Sequence, residues 1–192
     1  MVVTVVVLGL VLVAAVTDVA RHRIYNRTTY PGILAALGMN ALGDLAAWRG
    51  VDSAWLMRLG WIGLRSSLFG LALCGLLMLV CFVLLKVGGG DVKLMAMLGG
   101  FLGPERGLEA LLWSFILGAA VALIVLVWRV GAWRLVVRLV KQALYVFRLG
   151  GWARLTPDER AQLQAPLFLA PSALAAVAIV QFSLIERLPA WI

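Results

Sequence analysis

Long apolar runs separated by short segments that collect the charges restrict this chain to a fold dissolved in lipid. Val2 to Thr17 carries no charged residue, and further runs occupy Thr29 to Trp48, Trp61 to Val87, Leu108 to Trp128 and Pro166 to Ile185. A bilayer core about 30 Å thick takes about 20 apolar residues per helical crossing, so this length holds roughly six crossings with short connections. Hydrophobic residues make up 64% of the chain and charged residues 14%, outside the range of soluble domains. The expected fold is an all-α integral membrane protein: one membrane-embedded domain over residues 1–192, a bundle of about six transmembrane helices plus a cytoplasmic amphipathic helix.

The expected spans are 2–20, 28–48, 61–87, 91–104, 107–128 and 166–186. The first run has no Lys or Arg before it and is followed by Arg21, Arg23 and Arg27, the reverse of a cleavable signal peptide. Gly88, Gly89 and Gly90 end the third span, because glycine readily takes the left-handed conformations that close a helix, and they also serve backbone approach, letting an extended substrate lie beside Asp91. The segment opened by Asp91 runs only to Gly103 before Pro104. Over 129–164, Trp133, Val136, Val137, Val140, Leu144 and Phe147 fall near helical spacing, with Arg134, Arg138 and Lys141 on another face. That pattern predicts a helix lying on an anionic leaflet, and Thr156, Pro157 and Glu159 then resemble an N-cap, a first-turn proline and a capping box.

The net charge of +8 does not imply nucleic acid here, because the Lys and Arg residues sit between apolar runs, where they orient the chain. If the short Asp91 segment crosses, twelve of the 17 basic residues share one side, as the positive-inside rule prefers for the cytoplasm. Both chain ends then lie outside. Cys74 and Cys81 are seven apart in one apolar run, about 10 Å along a helix and too far for a disulfide.

Acidic side chains at or within spans are costly and are candidates for function. Asp18, Asp44 and Asp91 qualify. The expected topology puts Asp18 at the end of the first span and Asp91 at the start of the fourth, both at the cytoplasmic face; Asp44 lies toward the opposite end of the second. Two carboxylates sharing a proton can divide acid and base work, one activating water while the other protonates a carbonyl. His22 is the only histidine, so a His-Glu-x-x-His zinc site is excluded, and no serine stands in a nucleophile motif. No metal and no cofactor is expected.

Gly88-Gly89-Gly90-Asp91 fits the Gly-x-Gly-Asp signature of intramembrane aspartyl proteases, and Gly90-Asp91-Val92-Lys93-Leu94 resembles the Gly-Asp-x-Lys-Leu form of the type IV prepilin peptidases. Asp18, followed by Arg21, Arg23, Ile24 and Asn26, is similar to that family's first aspartate motif, an Asp followed by basic residues and Ile-Pro-Asn. Tyr25 stands where the family usually has proline. Presenilin-like relatives pair Gly-x-Gly-Asp with Tyr-Asp, whereas Asp18 follows Thr17. Ala165-Pro166-Leu167 and Ala170-Pro171 resemble the proline-containing opening of the family's last helix.

The resemblance implies an aspartic endopeptidase in the bacterial inner membrane, with Asp18 and Asp91 catalytic and Gly88, Gly90, Lys93 and Asn26 supporting them. Its partners would be prepilin or pseudopilin precursors and membrane lipids. It would cut a short basic leader from the precursor at the cytoplasmic face. Larger relatives carry an added cytoplasmic region with paired cysteines and also methylate the new amino terminus. This chain opens on its first span without those cysteines, so the similarity is to the peptidase-only form of tight-adherence or Flp pilus systems.

Asp91 at a helix amino end favours the role of base, with Asp18 as acid, while Arg21 and His22 one turn after Asp18 argue the reverse. Each residue also has a plainer reading: Asp91 an N-cap, Asp18 an interfacial helix end, Lys93 a side chain snorkelling to the headgroups, His22 a loop residue. Asp44 and Asn40 read as interhelical hydrogen-bonding groups. Two other functions use the same acids, a small transporter or channel and a pilus-assembly factor without activity.

Overall fold

Valine is a modest helix former in water, yet the valine-rich first run is helical. In lipid every backbone N–H and C=O must find its partner within the segment. In the computed structural model, which describes residues 2–21, 24–85, 88–131, 137, 140 and 169–182, the elements are α1 (Val2–Arg21), α2 (Asn26–Trp48), α3 (Ser53–Leu59), α4 (Leu64–Leu85), α5 (Gly89–Val130) and α6 (Leu169–Gln181). No strand occurs among the described residues. Three stretches, Val2–Arg21, Ser53–Leu84 and Gly89–Trp128, are long and apolar enough to cross a membrane.

Val3, Val7, Val11 and Ala14 form the buried stripe of α1, while Val5, Val13 and Val16 on its other side are exposed. The stripe faces α6, whose Ala170, Ala173, Val177 and Val180 are buried. The pair runs antiparallel: Gln181 Nε2 donates to Thr4 Oγ1 at 2.9 Å, and at the other end the Ala170 amide donates to Asp18 Oδ2 at 3.4 Å. Small side chains on α6 bring the two backbones close, the usual basis of helix association in lipid.

α5 is interrupted at Gly103, whose φ of 81° and ψ of −178° are not helical. Gly99 and Gly107 are eight residues apart, about 12 Å along a straight helix. Yet a Cβ placed on Gly107 would lie 3.0 Å from the Gly99 Cα. The chain therefore reverses at Gly103 and Pro104, and the short arm, 89–102, packs against the start of the returning arm around Gly107. Residues 94–103 are buried without exception, so the short arm sits inside the bundle. A Cβ on Gly70 of α4 would collide with the Gly99 carbonyl oxygen, and Ser67 Oγ donates to the Gly100 carbonyl at 2.6 Å. The break read from Gly103 and Pro104 is present, and it is a reversal.

Other expectations need correction. The arm begins at Gly89, not Asp91, and Gly88, Gly89 and Gly90 are not left-handed. The third span is preceded by a separate short helix, α3, with Asp52 Oδ1 accepting from the Ala54 amide at 2.9 Å as its N-cap. The amphipathic helix expected over 129–164 lies outside the described residues, apart from its first residues, which close α5, and Val137 and Val140, which are helical. The capping motif at Thr156, Pro157 and Glu159 lies outside them too, as do His22, Arg23 and Lys86. Cys74 and Cys81 are free thiols in α4.

Asp44 makes an interhelical bond, whereas Asn40 bonds the loop before α4 and its own helix. Asp44 Oδ1 accepts from Trp61 Nε1 at 2.8 Å and its Oδ2 from the Leu64 amide at 3.0 Å, so a carboxylate from α2 caps the amino end of α4. Asn40 Oδ1 accepts from the Ile62 amide at 3.0 Å, and its Nδ2 donates to the Ala36 carbonyl at 2.9 Å. A helix amino end has unpaired amides and partial positive charge, which is why an acid is retained there. Asp44→Ala strands these donors, and a loss of about 1–3 kcal/mol is expected, read as a lowered thermal unfolding midpoint of the detergent-solubilised protein.

Candidate active site

α1 and the first arm of α5 end at the same pole of the bundle, and there they present Asp18 and Asp91 to one cavity. The cavity is about 420 Å³ and is lined by Asp18, Ile24, Tyr25, Asn26, Gly88, Gly89, Gly90 and Asp91. Asp91 lies in the first turn of α5 and Asp18 in the last turn of α1; both are half-buried. They are close enough for their like charges to interact. A larger cavity, about 470 Å³, opens at the opposite pole around Gly103, Glu105, Arg106 and Gln181, and among the described residues its lining holds one carboxylate, not a pair.

Each wall has a local cause. The Asp91 amide donates to the Gly88 carbonyl at 3.0 Å, which folds the glycine turn back under the carboxylate. A Cβ on Gly88 would stand 3.0 Å from Asp91 Oδ2, and one on Gly90 would stand 2.9 Å from the Ile24 Cβ. The glycines therefore serve close approach at this site, keeping Asp91 accessible and letting the turn before α2 lie against α5. Asp18 is held from elsewhere, because α6 brings its second residue, Ala170, to donate to Oδ2.

The turn between α1 and α2 is tied to both neighbours. Lys93 Nζ donates to Asn26 Oδ1 at 2.8 Å and stands 4.9 Å from the Tyr30 ring centroid. Arg21 Nη1 donates to Tyr25 Oη at 3.1 Å, with its Cζ 5.9 Å from the Tyr25 ring centroid. The structure thus brings Asp18, Asp91, Gly88, Gly90, Asn26 and Lys93 together, and it places Asp44 elsewhere, on the α4 cap. Lys93 has a protein partner and an aromatic face, not only headgroups to reach for. Sequence reasoning missed Ala170, whose partner is 152 positions away. It also missed Tyr30, although Tyr30 follows Asn26 by four residues on one helix face.

Helical spans in lipid with two acids facing one cavity at the bundle's end define a membrane-embedded protein with a carboxylate-pair site. Residues 5–123 match the model of the type IV leader peptidase family, and the chain belongs to that family. The matched region contains every residue of the cavity lining. Neither a curated protein nor a solved structure matches the chain.

Lys93 and Asn26 join the helix of Asp91 to the turn that follows Asp18. Loss of a hydrogen bond to a charged group at such a joint corresponds to about 10–100-fold in rate. Lys93→Met and Asn26→Ala are each expected to slow leader cleavage by that order in a purified assay. The double variant should fall no further than the worse single one, because both remove the same contact.

Proposed function

We propose that this protein is an aspartic endopeptidase of the bacterial inner membrane that removes the short basic leader from type IV prepilin-like precursors at the cytoplasmic face. Asp18 and Asp91 are its catalytic pair, and the new amino terminus is left unmethylated. The observation that carries the reading is one cavity lined by both carboxylates, in a chain of the leader peptidase family. The reversal at Gly103 supports a topology of six spans, because it turns the short arm and its successor into two antiparallel segments. In the proposed topology, Lys93 and the basic stretch after Trp128 share the cytoplasmic side. The peptidase-only reading rests on the cysteines: the chain holds two, both in α4, and no pair of the kind that accompanies methylation in larger relatives.

In the reaction, the ionised carboxylate takes a proton from water as the oxygen attacks the scissile carbonyl carbon. The protonated partner gives its hydrogen to the carbonyl oxygen. The tetrahedral intermediate collapses when the leaving nitrogen receives a proton, which breaks the C–N bond and releases the leader's carboxylate and the pilin's amine. Gly88, Gly89 and Gly90 leave space beside Asp91 for an extended substrate backbone. Donors face both acids: Asp91 lies at the amino end of α5, and Asp18 receives the amide at the amino end of α6. The helix-end argument that favours Asp91 as base therefore applies to Asp18 as well.

Coexpression with a prepilin and a gel-shift readout tests the assignment. Asp18→Asn and Asp91→Asn are each expected to reduce processing about 10²–10⁴-fold, the contribution of a positioned acid or base. Normal processing in either variant overturns the claim. Mass spectrometry of the mature pilin should find an unmethylated amino terminus. With wild type, the rate should rise as the first carboxyl of the pair loses its proton and fall as the second does, giving a bell in pH.

A further inference from the structure

Tyr25 is a wall of two cavities. One is the carboxylate cavity; the other, about 300 Å³, lies between α1 and α2 and is lined by Val13, Thr17, Arg21, Tyr25, Arg27 and Thr28. We infer that this second cavity is a binding site for an anionic phospholipid, with its phosphate between Arg21 and Arg27 and an acyl chain along Val13.

Among the described residues, the lining carries two guanidiniums and no carboxylate, whereas the space across Tyr25 carries two carboxylates. An anion is therefore matched on one side of the ring and repelled on the other. The threonine hydroxyl hydrogens are already used: Thr17 Oγ1 donates to the Val13 and Ala14 carbonyls at 3.0 and 2.9 Å, and Thr28 Oγ1 to the Tyr25 carbonyl at 2.9 Å. The side-chain donors left for a ligand, among the described residues, are those of the arginines and the Tyr25 hydroxyl. Arg21 spends one N–H on Tyr25 Oη, which fixes its plane and leaves other N–H groups for a phosphate, the geometry guanidinium recognises best.

The site is also graded. Val13, Thr17 and Arg21 recur every fourth residue on α1, so the groove passes from apolar to cationic over about 12 Å. Val13 is 47% exposed and Val16 beside it 59%, on the α1 side opposite the stripe that packs on α6. A ligand that fits must be apolar at one end and anionic at the other. A zwitterionic headgroup would bring its ammonium to two guanidiniums with no lining carboxylate to receive it, and inorganic phosphate would leave Val13 uncovered.

Native mass spectrometry of the full chain in detergent, titrated with phosphatidylglycerol, phosphatidylcholine or inorganic phosphate, tests the site. Phosphatidylglycerol should bind more tightly than phosphatidylcholine. Arg21→Gln/Arg27→Gln should weaken it about 10–30-fold, the effect of two basic residues at an anionic surface. Arg27→Gln alone, which leaves the Arg21 to Tyr25 bond intact, should weaken it several-fold less. Arg49→Gln/Arg65→Gln, equal in charge loss and lying toward the other pole, should leave phosphatidylglycerol binding unchanged. Equal affinity for the two lipids, or equal loss in both double variants, overturns the site. Saturation by inorganic phosphate as tight as that by phosphatidylglycerol overturns the lipid as its ligand.

Discussion

The arrangement depends on one close contact between backbones. Gly99 of the short α5 arm lies against Gly70 of α4 on one side and Gly107 of the returning arm on the other, with no side chain between. Helices in lipid gain nothing from hiding apolar surface, so dense packing of small residues must hold them together. Here that packing, with the Ser67 to Gly100 hydrogen bond, encloses residues 94–103 completely. An arm of this length spans only about 21 Å, less than a bilayer core. It is tolerated because its non-helical end, at Gly103, is itself buried and borders a cavity, the condition under which broken backbone survives at membrane depth.

Enclosing the arm fixes what stands on its first turn. Asp91 and Lys93 precede the buried run directly, so their positions follow from the packing below them. Asp18 is fixed by a different contact, the antiparallel pairing of α1 with α6, whose two ends are marked by Thr4 to Gln181 and Asp18 to Ala170. The carboxylates thus belong to two separately braced supports, and the turn from Ile24 to Asn26 bridges them. Ile24 packs on Gly90 and Asn26 binds Lys93 on one side, while Tyr25 binds Arg21 on the other.

What could be read in the sequence was local or chemical in kind. The apolar runs located α1, α2 and α4 within a few residues, and the Gly103-Pro104 pair located the interruption in α5. Residue types alone drew attention to Asp18 and Asp91, since an acid in an oily chain is costly enough to need a reason. Helix α3 escaped because seven residues are too few to show a period, although Asp52 and Ser53 offered a capping signal. Of the two readings of Gly88 to Gly90, left-handed backbone and close approach, glycine permits both, and the position of Ile24 reveals that close approach is the one used. The bond from Ala170 to Asp18 could not be found at all. Its donor is a backbone amide, which every residue but proline possesses, and only the α1 to α6 pairing selects it.

Tyr25 shows how a departure from a motif can leave the loop intact and change its surface. Its φ of −82° and ψ of 139° lie close to the values that proline imposes, near −65 ± 15° for φ, with the ψ of extended polyproline. The backbone here is thus one that the usual proline of the family would also adopt, so the turn reaches Asn26 and Lys93 by the same path. What tyrosine adds lies entirely beyond its Cβ. The ring becomes the partition between the carboxylate cavity and the arginine cavity, and the hydroxyl gives Arg21 an acceptor that proline has no atom to supply. A proline at this position would preserve the turn while removing the partition and releasing Arg21. The residue that weakens the match to the motif is the one that divides the anionic side of this pole from its cationic side.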